Sequence, residues 1–369
     1  MSNIGKLGSV LNGSAIPKTN GLIPAYGGNG IISFVDNKNY SGETIVIGRV
    51  GANCGNIQYV DGDCWITDNA LAMKVKDEYD AKYVYYLLKQ LNLNNFHIGS
   101  SQPLLTQGII NKIDFDYTED KKTQEKIATV LYLLDTKIEN NNKVNSELES
   151  LAKTIYDYWF LQFEFPNEEG KPYKSSGGKM VWNDELKREI PEEWEVKSLS
   201  EIVIENEKSK TQVGDVSDVG NYPFFTSGES ILKSNKHIVD GMNCYLSTGG
   251  NATLKFFDGE ADYSTDTWCI SASNDYKYML YMYLKSILPM MDIKFFHGTG
   301  LKHLQKPLLL KEIVIIPSKS ILNKFNNIVE ASFITISKKY NENQELASLR
   351  DFLLPMLMNG QVTFKDENY

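Results

Sequence analysis

Asn145-Ser-Glu-Leu-Glu-Ser-Leu151 returns 198 residues later as Asn343-Gln-Glu-Leu-Ala-Ser-Leu349. Both heptapeptides sit on seams whose members alternate in spacing between four and three. The first seam is Ile127, Leu131, Leu134, Ile138, Asn141, Asn145, Leu148, Ala152 and Ile155. The second, more polar, is Phe325, Val329, Ser332, Ile336, Lys339, Asn343, Leu346, Arg350 and Leu353. A 4–3 alternation is the signature of a coiled-coil seam. Neither Pro nor Gly interrupts residues 123–160, and these 38 residues make a helix of about 57 Å. Two seams of equal length in one chain are expected to pair with each other, antiparallel, because the domain between them lets the chain turn back. The alternative is that each helix packs only on its own domain. Asn145 and Asn343 on the seam would fix register at some cost in stability. The helices are expected to stop at Pro166 and at Pro355, with Gly360 beyond.

The repeat extends outward from these helices. Ile23-Pro-Ala-Tyr26 lies opposite Tyr222-Pro-Phe-Phe225 at an offset of 199, and Thr67-Asp68-Asn69 opposite Thr265-Asp266-Thr267 at 198. Leu88-Lys89 matches Leu284-Lys285 at 196, Gly99-Ser100 matches Gly298-Thr299 at 199, and Ile113 matches Ile313 at 200. Each match is weak alone, but their order is colinear. A period this long is one duplicated module rather than a solenoid unit. Each module opens with about 110 residues of short apolar runs broken by Gly, Asn and Asp, as in Thr44–Gly48 and Glu312–Pro317; these read as strands. One helical stretch interrupts them, at Ala81–Leu91 and again at Tyr278–Leu288. The fold class is therefore α+β: two similar α+β domains with two long antiparallel coiled-coil helices. The domain boundaries follow as 1–118, a helix over 119–165, a connector at 166–190, a second domain at 191–317 and a second helix and tail at 318–369. Trp182 and Trp194 imply that the Pro-, Gly- and Ser-rich connector packs on something.

The 369 residues are 42% apolar, enough for two or three cored domains. No apolar run approaches the roughly 18 residues of a membrane span. The opening MSNIGKLGSVLNGS has no charged-then-apolar leader. Cys54, Cys64, Cys244 and Cys269 form no CxxC pair, which suits reduced thiols in a cytoplasm. Catalytic constellations are missing. No phosphate-cradling GxxxxGK[ST] occurs, Tyr26-Gly27-Gly28-Asn29-Gly30 reads as a turn, and four His residues give no HExxH. Glu185-Leu-Lys187 is half of a nuclease ExK without its upstream Asp, and no Asn-Pro-Pro-aromatic methylase run exists. No catalytic residue, metal or cofactor is expected on this chain.

Two similar domains on a fixed rod, without chemistry, suggest a ruler that recognises a two-part target. Duplex DNA is the polymer best described that way, and about 57 Å of rod spans at most about 17 base pairs. The helical motifs carry a resemblance. Gln124-Glu-Lys-Ile127-Ala, Asp135-Thr-Lys-Ile138-Glu139 and Leu151-Ala-Lys153-Thr-Ile-Tyr156-Asp157-Tyr-Trp159-Phe160 resemble the central region of type I restriction-modification specificity subunits. So do Gly170-Lys-Pro-Tyr173-Lys-Ser-Ser-Gly177-Gly178, Ile190-Pro191-Glu-Glu-Trp194-Glu and the terminal Leu349-Arg350-Asp-Phe-Leu-Leu354-Pro355-Met-Leu357-Met-Asn-Gly360. The resemblance covers nearly the whole chain. It implies a non-catalytic subunit whose two target-recognition domains each read one half of a split DNA sequence. It also implies partners: double-stranded DNA, two adenine-methylating (M) subunits that use S-adenosylmethionine, and restriction/translocase (R) subunits. One departure concerns the edge of the first module. The second opens Trp194-Glu-Val-Lys-Ser-Leu199, whereas the first opens at Ile4-Gly-Lys-Leu7 without the Trp lead, which implies a shortened edge. A related system with methylase and nuclease fused in one partner, a structural scaffold and an enzyme with an unrecognised site are the rival readings.

Recognition needs donors and acceptors on loops that reach base edges, and cations for phosphates. The first domain offers Tyr26, Gly28, Asn29, Arg49, Asn53, Asn69, Ser100, Ser101 and Gln102. The second offers Thr226, Ser227, Thr248, Asn251, Thr267, Thr299, Lys302, His303 and Lys306. Asp68 and Asp266 read as turn caps. Of only three arginines, Arg49 is the one in either domain, beside a Gly-rich turn, and is the candidate for reading guanine or clamping a phosphate. Lys294, His297, Lys302, His303, Lys306 and Lys311 form a run free of acids between Asp292 and Glu312, which is expected to face the duplex. The net charge of −9 is spread as −1 over 1–118, −3 over 119–165, 0 over 166–190, −5 over 191–317 and 0 over 318–369. Such a chain should grip DNA poorly alone and need cationic partners.

Overall fold

Thr44–Gly48 is a β-branched run ending in Gly48, Met242–Ser247 a mixed run that includes Asn243, and both are buried along their whole length. A strand buried on both faces belongs at the centre of a sheet, and each has that place. In the computed structural model, which describes residues 2–99, 102–217 and 219–364, the chain forms two compact units. One comprises residues 1–139 with 344–369, the other residues 140–343.

The first unit has a four-stranded antiparallel sheet ordered Gly8–Asn12, Ala70–Val75, Thr44–Gly48, Ile57–Val60. Beside it lies a three-stranded sheet ordered Gly30–Val35, Ile23–Gly27, Trp65–Ile66, whose last pair is parallel. Helix Ala81–Leu91 starts at Asp80, whose carboxylate accepts from the Tyr83 amide at 2.7 Å, and ends at Asn92 in the left-handed region. The second unit repeats this plan. Val203–Glu205, Thr267–Ala272, Met242–Ser247 and Leu254–Asp258 form the antiparallel sheet. Ile231–Ser234, Tyr222–Phe225 and Asp262–Tyr263 form the other, again with a parallel last pair. Its helix, Lys277–Lys294, continues past Leu288 through Pro289, because Met291 is buried beyond it. Ser2–Asn3 pairs with Asp114–Phe115, and Glu195–Ser198 pairs with Ile313–Ile316. Ile4 and Leu7 are fully buried.

The long helices are Lys121–Tyr156 and Lys319–Met358. Each contributes to both units, and both sequence readings of them hold together. In the first unit Ile127, Ala128 and Leu131 enter the core of the α+β domain alongside Leu357 and Met358. In the second, Ala152 and Tyr156 do so with Phe325, Val329 and Phe333. Pairing is antiparallel: Asn141 meets Asn343, Asn145 meets Ile336, and Tyr156 meets Phe325. The seam residues Leu134, Ile138, Leu148, Ile336 and Leu346 are half-buried.

One expectation is made specific and two are corrected. Asn343 is held by Asn141 at 2.8 Å and Asn142 at 2.8 Å, with Lys339 donating to Asn141 at 2.9 Å, while Asn145 donates to Ile336 O at 3.5 Å. Asn141 and Asn343 are only 2% and 8% exposed, so this polar knot is what pins register. Second, the terminal helix runs through Pro355. Leu353, Leu354, Leu357 and Met358 pack on the first unit's core, and their burial outweighs one lost backbone bond. The helix ends where Gly360, φ +68°, lets Gln361 N–H reach Met356 O at 2.9 Å. Third, of the two tryptophans only Trp194 is buried, while Trp182 is 60% exposed. Trp194 stacks on Phe165 at 4.9 Å, within a cluster where Phe160 meets Phe325 at 4.9 Å, and Tyr173, Met180, Val181, Leu186 and Ile190 of the connector pack in the same core. The first helix gives way after Tyr156 to a wider turn, Asp157–Leu161, that buries Trp159 and Phe160.

Each recognition-domain helix is tied to the first long helix by a carboxylate. Asp135 accepts from Tyr86 Oη at 2.7 Å and from Arg350 at 2.6 Å, with Lys89 at 3.7 Å. Glu149 accepts from Tyr281 Oη and pairs with Lys285 at 3.0 Å. Burial pushes the Asp135 carboxyl up, but the bonds from Arg350 and Tyr86 and the charges of Lys89 and Arg350 outweigh it and hold it below its usual value. A lowered carboxylate contributes stability that is complete above the free value of about 3.9 and is lost as pH falls through the lower folded value. Melting temperatures from pH 5 downward should therefore fall more steeply for the native chain than for Asp135→Asn. Parallel curves would show that Asp135 contributes nothing to acid sensitivity.

Candidate nucleic-acid interface

Four loops of the first unit meet at one end of its sheets. Arg49 N–H donates to Asn69 O at 3.0 Å, Leu105 N–H to Arg49 O at 2.9 Å, Gly51 N–H to Pro103 O at 3.0 Å, and Thr67 N–H to Tyr26 O at 3.0 Å. The second unit makes the same four bonds: Thr248 N–H to Asp266 O at 3.1 Å, Leu304 N–H to Thr248 O at 3.0 Å, Gly250 N–H to Lys302 O at 2.9 Å, and Ser264 N–H to Phe225 O at 2.9 Å. A loop's backbone groups must find partners somewhere, and here each loop finds them in its neighbours. The candidate residues are thereby gathered on one face within each unit.

These bonds also refine the repeat. Most equivalences lie at 199, but the turn after the parallel strand lies at 197, so Thr67 corresponds to Ser264 and Asn69 to Asp266. The 198 alignment of Thr67-Asp68-Asn69 with Thr265-Asp266-Thr267 is one residue out. Thr267 corresponds to Ala70. It is buried, and its hydroxyl bonds Phe225 O at 3.2 Å and Ser264 Oγ at 2.8 Å. Thr226 is likewise buried, with its hydroxyl on Ser230 O at 2.5 Å. Both threonines build loops rather than present a side chain outward.

Asn29, Asn53, Asn69, Gln102, Asn251, Thr299, Lys302 and His303 are exposed; Tyr26, Gly28, Arg49, Ser227 and Thr248 are half-buried. Ser100 and Ser101 lie outside the described residues. Arg49 is wedged between loops: its Nη1 donates to Asp68 O at 3.4 Å, and its buried Nε has no protein partner. Asn29, Asn53, Asn56, Lys89, Asn92 and Asn94 line an open cleft of about 370 Å³ beside it. The expected cationic run of the second domain is split. Lys302 and His303 stand exposed on the small hairpin formed by Phe296–His297 and His303–Leu304. Lys294 pairs with Glu312 at 2.7 Å. Lys306 lies over the Trp268 ring at 4.7 Å with Glu205 at 3.9 Å, and burial lowers its pKa despite the Glu205 charge. Asn56 and Lys255, which hold the first loop of each face, carried no signal in sequence. Only the bonds they make in the fold reveal them.

Among the described residues no group of His, Cys, Asp or Glu is arranged to hold a metal ion, and no helix is long and apolar enough to cross a membrane. All four cysteines are buried; burial pushes the Cys269 thiol up to about 12.

Gly99 and Gly298 share one steric demand. A Cβ on Gly99 would lie 2.7 Å from Gln102 O, and one on Gly298 2.6 Å from Leu301 O, both at positive φ. Gly298→Ala should cost about 1–3 kcal/mol locally. Hydrogen exchange is expected to speed up in 296–304 and to stay unchanged in strand Met242–Ser247. Unchanged exchange at the hairpin would show that the loop absorbs the methyl group.

Comparison with known proteins places these faces in context. The type I restriction modification DNA specificity domain matches twice, over residues 2–150 and 191–348. The MjaIX type I restriction enzyme specificity subunit of Methanocaldococcus jannaschii is 27% identical, over 79% of this chain and 71% of its own length. The HindI specificity subunit of Haemophilus influenzae is 23% identical, over 66% of this chain and 68% of its own. The crystal structure of a type I restriction-modification S subunit from M. genitalium superposes with a TM-score of 0.64 at 17% identity, covering 96% of this chain and 95% of that one. Two copies of the domain, each ending in a face of convergent loops, make this chain a member of the type I restriction-modification specificity subunits, the non-catalytic subunits that recognise DNA sequence.

Proposed function

We propose that each face reads one half of a bipartite DNA target and that the paired long helices set the gap between the halves. The observation that carries this is the identical set of four loop–loop backbone bonds in both units around unlike side chains. A fixed scaffold with variable tips is what two different half-sites require. Asn29, Asn53, Asn69 and Gln102 would supply donors and acceptors to base edges in one half, and Asn251, Thr299, Lys302 and His303 in the other. Arg49, half-buried between these loops, would meet a base or phosphate through its guanidinium tip.

The chemistry belongs to partners in this reading. Two adenine-methylating subunits, using S-adenosylmethionine and taking the target base out of the stack, would dock on the long helices. Leu133 and Phe352 in one unit and Leu151 and Ile328 in the other are exposed apolar residues on those helices, suited to such contacts. Restriction/translocase subunits would join them. The net charge of −9 makes DNA binding dependent on cations from the partners.

Co-expression with the cognate methylating subunit, followed by genome-wide mapping of methylated adenines, is expected to return a split motif with a constant gap. A contiguous motif, or none, would overturn the reading. In the assembled complex, Lys302→Ala should reduce the salt dependence of DNA affinity by about 0.9 in log–log slope, whereas Lys306→Ala should leave the slope unchanged. Equal slopes for Lys302→Ala and the native complex would remove Lys302 from the phosphate contacts.

A further inference from the structure

The first reading loop of each face is held by side chains at the start of the strand that follows the buried central strand. The sheet register makes Thr253 the counterpart of Asn56, since Gly48 N–H donates to Asn56 O and Ser247 N–H to Thr253 O; Lys255, opposite Tyr245, stands where the first unit has Gln58, opposite Val46. Asn56 Nδ2 donates to Gly28 O at 3.2 Å and to Asn29 Oδ1 at 3.1 Å. Lys255 Nζ donates to Thr226 O at 3.0 Å and also to Gly228 O. Thr253 Oγ1 takes the carbonyl between them, Ser227 O, at 3.0 Å. Three successive carbonyls of the second loop are thus tied to strand Leu254–Asp258 and the residue before it.

A half-buried ammonium is an expensive way to close a turn. Burial lowers the Lys255 pKa, with only the Glu229 charge opposing it, and an apolar residue could fill the space at lower cost. What a lysine adds is a pair of charge-assisted bonds to two carbonyls at once, which fixes the turn's backbone and so the direction of its side chains. In that turn Glu229 is exposed and Ser227 half-buried; a carboxylate in such a place can accept from a base's exocyclic amine. Asn56 does the corresponding job with a neutral amide and also fixes the amide plane of Asn29, the geometry an asparagine needs to engage adenine with both its atoms.

We propose that Asn56 and Lys255 are positioning residues for specificity, each holding the first loop of its face in the shape that reads its own half-site. This rests on the bipartite reading above. Each acts through the loop it grips. Asn56 and Thr253 grip the equivalent carbonyls Gly28 O and Ser227 O, and Lys255 adds its two bonds in the second face only.

The test is methylated-adenine mapping with the co-expressed complex carrying Asn56→Ala, Lys255→Met or Lys255→Arg. Asn56→Ala should degrade base preference in one half of the motif and Lys255→Met in the other, with discrimination at an affected base pair falling about tenfold and the opposite half intact. Lys255→Arg, which keeps a cation with several donors, should retain the native motif. A purely structural role predicts something else: lower methylation at every site with both halves unchanged. That outcome, or an unaltered motif in both Asn56→Ala and Lys255→Met, overturns the proposal. A native complex that yields no split motif would defeat the bipartite reading itself, a result distinguishable because it appears before any substitution. Thermal melting of each variant identifies one that fails to fold, and the other domain's variant then decides.

Discussion

Everything in this chain depends on two helices that must bury a stripe in two places at once. Residues 121–139 and 344–358 complete one core, and residues 140–156 and 319–343 complete the other. Segments more than 200 residues apart in sequence therefore share a core, as Asp135 with Arg350 and Asn141 with Asn343 show. The apolar part of that burial is non-directional. It would tolerate a slip of one turn, and the polar contacts do not. Shifting Asn343 away from Asn141, Asn142 and Lys339 would strand buried amides without partners, at about 1–3 kcal/mol each.

On this frame the two α+β domains are free to differ where it matters. Their sheets, strand orders and loop–loop bonds coincide, while the residues at the loop tips do not. That division of labour follows from where the energy lies. The shared bonds are between backbone groups, which exist whatever the side chain, so loop shape survives while the tips diverge. Only a few residues, such as Lys255, Gly99 and Gly298, are needed to hold geometry the backbone alone cannot.

The negative charge, which at first argues against DNA, has a structural counterpart. Several lysines that look available in sequence are engaged: Lys294 by Glu312, Lys277 by Glu330 and Lys306 by Glu205 and Trp268. Arg350 is held by Asp135 in a place that serves the helices. These four cationic residues build structure.

Much of this was legible in sequence. The 4–3 seams give the long helices, because one stripe must face an apolar partner along the whole length. Helix Ala81–Leu91 stands where its Asp80 cap and buried tyrosines put it. The duplication is visible because both copies fold under the same constraints. Sequence alone could not say which asparagine meets which, since the point about which the antiparallel helices cross is set by tertiary packing. It could not tell a buried hydroxyl from a presented one: Thr226 and Thr267 read like Thr248 until the carbonyls around them are placed. Nor could it stop the terminal helix in the right place, because a proline's local cost is outweighed only by side chains that tertiary packing brings to Leu357 and Met358. The sequence determined the elements and their repetition, which depend on local spacing. The tertiary structure decided which polar groups are spent on holding the fold and which remain exposed at the loops, because that depends on partners distant in the chain.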